Sequence, residues 1–462
     1  MQDPKTNNDA SLRASAGEAP ALPRELSIGC SPMNTAKNGE FVYVASVQEA
    51  GALKERFSQI FWQTGLEDAE SGLPKVRALL QDRGRLLVLG HGGEPSGALR
   101  AVVEALSAQG FVILEQNGRW PSHWRKPTRN AFWSIVAKRD AFTVRGYAPG
   151  DEAAILQLFA PSFHVERTPE HWRWKYRDHP FGSLRLSMAW SPQGELAAHH
   201  GAYPARLWHN GSILPAQHIG DLMTDPRFRR VGLGPRSLLA RCAQHSYAVF
   251  GPGRVAFNYG FNTSTSLEYS VRFMQAQKVA PVGFWTARPE DFLGTGPSGY
   301  QIRIEKTFDR RFDRFFARVA PDYASLFERR SAYLNWRYID RPDADYLAVS
   351  AFRWWRRVGW AVFRRQGDDL IWGDGLFARR HSVGAVQALL KAALESPVGQ
   401  QARRVTAWSS GVSWWLDSLK ELGFSSESEP NGLWLNCVPH DLPNAAAVLR
   451  STFYMMGDGD LF

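Results

Sequence analysis

Residues 218–244, HIGDLMTDPRFRRVGLGPRSLLARCAQ, decide how the rest of the chain is read. Residues 217–223 have the apolar content of a strand, and Asp225-Pro226 is a turn signal. Arg229-Arg230-Val231-Gly232-Leu233-Gly234-Pro235 then leads into an amphipathic helix expected over 233–244. Proline suits a first helical turn, because its missing N–H is not needed there and its φ is already helical. The two glycines let the backbone turn tightly and approach a ligand. Successive N–H groups at a helix N-terminus make a site for a pyrophosphate or similar anion. Arg227, Arg229, Arg230 and Arg236 add positive charge at the same end. A glycine pair by itself also serves an ordinary turn; the weight comes from the order strand, turn, paired arginines, glycine loop, helix.

A second signature follows. Residues 254–261, RVAFNYGF, read as a strand, and Asn262 opens the helical stretch NTSTSLEYSVRF, with Tyr269 seven residues on. Asparagine is a good helix cap and a helical tyrosine commonly packs, so each residue has a plain structural reading beside a functional one. Together the two stretches resemble the GNAT superfamily of N-acetyltransferases, whose acyl-CoA motif runs Arg/Gln-x-x-Gly-x-Gly/Ala. Arg229, Gly232 and Gly234 match that pattern, and Asn262 and Tyr269 match the family's strand-end asparagine and helical tyrosine. The family's Gly-Phe after the tyrosine is replaced here by Phe273-Met274.

The resemblance implies an N-acyltransferase in which the amine of a small molecule, amino sugar or peptide attacks the thioester of acyl-CoA directly, acetyl-CoA being the first donor to expect and no metal being needed. Donor-binding positions would be Met223, Thr224, Arg229, Arg230, Val231, Gly232, Leu233, Gly234 and Asn262. A backbone N–H at a bulge within 222–224 would polarise the thioester oxygen, and Tyr269 would protonate the departing thiolate. Asp221 would take the amine proton, with His218, His199 and His200 as runners-up; Asp221 reads equally as a buried structural acid.

Trp174-Lys175-Tyr176-Arg177-Asp178-His179-Pro180 recurs as Trp336-Arg337-Tyr338-Ile339-Asp340-Arg341-Pro342. Downstream of each copy come a Gly-Asp pair (Gly220-Asp221 and Gly373-Asp374), an arginine pair and an apolar helix, the second helix over 383–394. Two copies of one α/β unit are the simplest account. The second lacks the chemistry: its loop, ARRHSVGAV (378–386), has no second glycine and carries His381 where the pattern has Arg or Gln, and Leu419 stands in the tyrosine's place. A structural or acceptor-binding role is expected of it.

The expected fold class is therefore α/β (α+β): a disordered leader over 1–25, a small Rossmann-like segment over 26–140, a GNAT domain over 141–300, and a degenerate GNAT-like domain with a C-terminal tail over 301–462. The first segment shows strand-like runs at 84–93, 111–116 and 131–139 and a helical pattern at 97–110. It resembles the terminal part of a class I methyltransferase fold, a late strand, a helix and a closing antiparallel hairpin. No glycine-rich turn precedes it, and Glu67 and Asp68 do not substitute for one, so methyl transfer is not expected. His91-Gly92-Gly93 reads as a strand-ending turn.

Composition sets the outer limits. The 462 residues carry 55 Lys and Arg against 45 Asp and Glu, a formal +10, which favours anionic partners. That charge keeps aminoacyl-tRNA or an acyl-carrier protein open as alternative donors, and a non-catalytic CoA-binding protein is the third reading. There is no run of 18 apolar residues, no signal-like N-terminus, and only three cysteines, so a cytoplasmic protein without a membrane partner is expected. Among the aromatics, Trp172, Trp174, Tyr176 and the Trp354-Trp355 pair either fill cores or line an apolar acceptor pocket.

Overall fold

The computed structural model describes residues 142–462 apart from 183, 295 and 296, together with six strands and a few single positions among the first 139. The expected leader lies outside the described residues except for Glu25, as does the helix over 97–110 except for Ala105 and Leu106; the His91-Gly92-Gly93 turn, Glu67 and Asp68 also lie outside them.

The early strands are β1 (Glu25–Ile28), β2 (Phe41–Val44), β3 (Phe57–Thr64), β4 (Leu80–Gly90), β5 (Phe111–Gln116) and β6 (Trp133–Arg139), in the order β2-β1-β3-β4-β6-β5. β1 pairs in parallel with β2 and β3, and β3 in parallel with β4, whereas β6 runs antiparallel against β4. This is a Rossmann-like parallel sheet closed by an antiparallel strand. The three strands read from sequence are present; β1, β2 and β3 were not among them.

Residues 142–462 form two sheets that exchange strands. The first is built on β7 (Thr143–Gly146), β8 (Arg185–Trp190), β9 (Leu196–His209), β10 (Ser212–Thr224), β11 (Phe257–Asn262) and β12 (Gln277–Pro281). Then β13 (Phe284–Ala287) leaves this sheet for the other one, which holds β14 (Gln301–Ile304), β16 (Leu347–Arg353), β17 (Arg356–Gln366), β18 (Asp369–Phe377), β19 (Arg404–Trp408) and β20 (Ser425–Glu427). In return, β15 (Ser325–Phe327), β21 (Trp434–Pro439) and β22 (Thr452–Phe453) from the second half join the first sheet.

The exchange is reciprocal. β21 lies antiparallel between β11 and β12, and β13 lies antiparallel between β19 and β20. Each half thus lends a strand to the other's sheet, and a sequence boundary near 295–310 does not separate two self-contained sheets. β9 is buried along nearly its whole length, with helices Glu152–Phe163 and Leu238–Phe250 packed on it.

The repeated tryptophans meet where the halves join. Trp174 and Trp336 stack with ring centroids 4.8 Å apart and planes 12° from parallel. Trp174 Nε1 donates to the Trp336 carbonyl at 2.5 Å, and Trp336 Nε1 donates to the Trp174 carbonyl at 2.8 Å. Such reciprocity is what a local twofold produces. Both buried indole N–H groups are satisfied, and a stacked pair adds about 0.5–1.5 kcal/mol beyond area burial. Trp172, Trp174 and Tyr176 are core residues, as the packing reading expects.

Candidate active site

β10 and β11 pair in parallel only from Ala216–Phe257 to His218–Tyr259, although both continue, to Thr224 and Asn262. Beyond His218 the strands part, which leaves the backbone of β10 without a ladder partner on that side. At the same place β10 bulges against β9: Gly220 faces Gly201 and Met223 faces His199, so Asp221 and Leu222 together oppose His200. The bulge therefore sits at Asp221-Leu222, at the leading edge of the 222–224 stretch expected to hold it. Asp221 has φ +49°, a left-handed conformation that non-glycine residues rarely hold without surrounding constraint.

That constraint is a clasp on the Asp221 carboxylate. Arg167 grips both of its oxygens, Lys175 Nζ stands 3.1 Å away, and the Tyr176 hydroxyl donates to it. Burial would push the Asp221 carboxyl up, but Lys175 and Arg167 outweigh it and hold the group well below the usual carboxylate range. Burial, and then the Asp221 charge, drives Tyr176 well above a normal phenol. His199 Nδ1 sits 2.8 Å from the Asp221 carbonyl.

The glycine loop follows. A short turn, Pro226–Phe228, begins beneath Asp225, whose side chain accepts from the Arg227 N–H. Gly232 (φ +64°) and Gly234 (φ +60°) both take the left-handed conformation. A Cβ on Gly232 would lie 2.1 Å from the Arg236 carbonyl oxygen, so this turn requires glycine. Pro235 falls in the 3-10 turn Gly234–Arg236, and the α-helix proper is Leu238–Phe250, capped by Ser237, whose Oγ accepts from the Ala240 N–H. The helix starts later and runs longer than the expected 233–244, because the second left-handed glycine holds the chain out of helix until Ser237.

The arginines divide. Arg227 is spent on Asp225 and Glu195, so it does not face the loop as expected. Arg229 Nε donates to the Thr224 carbonyl at 3.4 Å. Arg230 and Arg236 are exposed and carry no ion pair among the described residues, and Leu233 at the loop tip is 77% exposed. Val231 is half-buried and Met223 is fully in the core.

Tyr269 lies on helix Ser264–Phe273, half-buried, with its hydroxyl hydrogen-bonded to the Ser237 hydroxyl. It packs in a cluster that includes Leu222 and Phe273; the Phe273 ring in turn closes over Gly234. Tyr269 therefore touches the cap of the loop helix, and a residue of the bulge belongs to the same cluster. Asn262 is the last residue of β11; the cap position belongs to Thr263, which makes no capping bond. Asn262 instead donates to Ser270 Oγ at 3.3 Å and accepts from Asn436 Nδ2 at 3.1 Å, which ties the strand end to the exchanged β21.

Sequence reasoning missed the chain's closing residues. Asp460 places its carboxylate against Gly220, where a Cβ would lie 2.1 Å from Asp460 Oδ2. Lys175 Nζ donates to Asp460 Oδ2 at 2.9 Å, the Tyr203 hydroxyl to Oδ1 at 2.7 Å, and His218 Nδ1 lies 3.7 Å from Oδ1. Asp460 lines a small cavity of about 30 Å³ with Arg167, His171, Lys175 and Arg337. Burial raises its carboxyl, but Lys175 and His218 bring it down to about 2. Burial lowers His218 and His199 to about 4 and His200 to about 3, so all three rings are neutral at pH 7. Arg167 was also missed, yet the repeat offset of 162 pairs it with Arg329 and could have found it.

Residues 143–264 match the model of the acetyltransferase (GNAT) domain. This region is a GNAT domain. No curated relative matches the chain. Among solved structures, a conserved protein of unknown function from Enterococcus faecalis, described as a probable N-acyltransferase, is similar at 12% identity and TM-score 0.51, over 66% of this chain and 74% of that one. GCN5-related N-acetyltransferases from Anabaena variabilis (13% identity, 64% and 72% covered) and Kribbella flavida (14%, 66% and 73%) each have a TM-score of 0.48. The Enterococcus likeness spans more of this chain than the matched GNAT domain does, and it shows a shared fold over that length. No helix among the described residues is long and apolar enough to cross a membrane.

Proposed function

We propose that the protein is an N-acyltransferase that uses acyl-CoA, acetyl-CoA first, and that the donor binds at the first GNAT copy. One observation carries this reading: two left-handed glycines present a loop at the N-terminus of helix Leu238–Phe250, next to the place where β10 and β11 part. The backbone N–H groups of Gly232, Leu233 and Gly234 and the exposed Arg230 and Arg236 suit a pyrophosphate, while the Val231 N–H is already given to the Phe228 carbonyl. The unpaired edge of β10 suits the amide-bearing arm of the donor, with Met223, Thr224 and Asn262 bordering it. These positions hold one reactant for attack by the other, and that alignment supplies much of the rate.

In the reaction the amine nitrogen attacks the thioester carbonyl, the carbonyl oxygen becomes an oxyanion, and its collapse expels the thiolate. Oxyanion stabilisation is assigned to a backbone N–H of the Asp221-Leu222 bulge. Tyr269 donates its proton to the thiolate. Asp221 is assigned to architecture, since both its oxygens are committed to Arg167, Lys175 and Tyr176. The amine proton goes to the neutral His218 imidazole, with Asp460 beside it to favour the imidazolium that forms.

The test is a donor and amine screen read by mass spectrometry, with Tyr269→Phe as the diagnostic variant. Turnover should fall about 100-fold while donor affinity holds. Equal rates would reassign the acid; bound acyl-CoA without turnover on any amine would leave a CoA-binding protein.

A further inference from the structure

The Trp354-Trp355 pair plays no part in the site or the core. It forms the two-residue turn between β16 and β17, with Arg353 paired to Arg356 across it. Trp354 is 73% and Trp355 85% exposed, and neither ring stacks on another among the described residues. Both have positive φ, +47° and +52°. A hairpin turn of this kind is ordinarily Asn-Gly or Asp-Gly, which accept the left-handed backbone readily. Two bulky aromatics here cost backbone energy and bury nothing, a combination that points to use of the rings outside the chain.

Their surroundings are basic. Arg353 lies over the Tyr300 ring at 5.5 Å, and that ring meets His381. Burial lowers His381, and the charges of Arg353, Arg318 and Arg380 lower it further. Arg318 donates to the Arg357 carbonyl and feels Arg356, while Arg303 lies 5.0 Å over the Phe352 ring. Arg303, Arg318, Arg353, Arg356 and Arg380 have no carboxylate partner among the described residues; the nearby Glu305 is taken by Arg357.

We propose that this hairpin tip docks the protein on a membrane surface bearing anionic lipid headgroups, with the indoles at the headgroup level and the arginines on the phosphates. Tryptophan belongs at that boundary because it is an apolar ring with one polar N–H, and clustered arginines near a membrane attract anionic lipid. Single-stranded nucleic acid is the other polyanion that tryptophan and arginine could serve, but it is held in grooves that track its backbone, and these rings stand on a projecting turn. The absence of a long apolar run, which led to the expectation of no membrane partner, bears on crossing a bilayer and not on resting upon one.

The test is co-sedimentation of the full chain with vesicles of phosphatidylcholine alone or mixed equally with phosphatidylglycerol. Binding should appear only with the anionic lipid and weaken as salt is raised. Trp354→Asn with Trp355→Gly should reduce it about tenfold or more, while the melting temperature holds or rises because the new turn suits its backbone. Arg353→Gln with Arg356→Gln and Arg380→Gln should reduce it as well. Equal binding to both vesicle types, full binding by the turn variant, or capture of single-stranded RNA in place of vesicles overturns the proposal.

Discussion

The two copies keep one clasp and differ in what is pressed against it. In the first, Arg167 and Tyr176 hold Asp221; in the second, Arg329 Nε holds Asp374 at 2.8 Å and the Tyr338 hydroxyl donates to it at 2.6 Å. The glycine before each aspartate marks the difference. Against Gly220 lies the Asp460 carboxylate, whereas against Gly373 lies the Phe462 ring, 1.9 Å from where a Cβ would be. The first position is polar and borders a cavity; the second is filled with hydrocarbon. The loops diverge in the same sense, two left-handed glycines in one copy against the 3-10 turn Arg379–His381 in the other. An Arg–Asp–Tyr clasp present in both copies is architecture, and the proposed chemistry is assigned to what surrounds the first clasp alone.

The largest effect should follow from breaking the symmetry itself. Trp174→Ala or Trp336→Ala removes a stacked ring and leaves the partner's indole without its packing, and each should cost about 3–5 kcal/mol in denaturant unfolding. The two losses should be far from additive, because both variants break the same pair. Additive losses would mean that the halves are not coupled through this contact.

Next comes the contrast between the two residues beside the glycines. Asp460→Asn should lower kcat about 100-fold and alter the pH–rate profile, with donor affinity little changed. Phe462→Ala should act on stability instead, by about 3–4 kcal/mol for the cavity left at Gly373. An Asp460→Asn enzyme with normal kcat would remove the polar difference between the copies.

The smallest effect lies in acid titration. Burial raises Asp458, at the second clasp, to about 6 despite Arg329. A carboxyl that holds its proton more tightly folded than unfolded loses stability for the protein as pH rises from about 4 to about 6. Asp460, at the first clasp, has the opposite shift; its contribution is present above about pH 4 and lost as pH falls toward about 2. Asp458→Asn should flatten the first change and leave the second. Unchanged melting profiles over that range would contradict the opposed shifts.

Much of the fold was legible because it is written locally. The repeat at 174 and 336, the strand ending in 217–223 and the glycine loop are contiguous patterns; the strand and the loop appear in the order expected, and the two repeat tryptophans meet as a pair. The strand exchange was not legible, since β13 and β21 are short strands buried on both faces that would suit either sheet, and only tertiary pairing decides between them. Asp460 was hidden for a related reason: it lies 239 residues after Asp221 in the sequence, and nothing in its neighbours says where the chain's last turn docks. Asp221 itself shows the limit of type and position. An aspartate on the right strand reads as a base until the lysine, arginine and tyrosine that surround it are seen.

Whether the first copy holds the donor is decided by a calorimetric titration of the protein with acetyl-CoA. One equivalent should bind per chain. Gly232→Asp, which sets a carboxylate into the left-handed turn, should weaken it about 100-fold or more, and His381→Asp in the second copy's loop should leave it unchanged. Two equivalents, or binding that survives Gly232→Asp and fails with His381→Asp, would contradict the assignment of the donor site to the first copy.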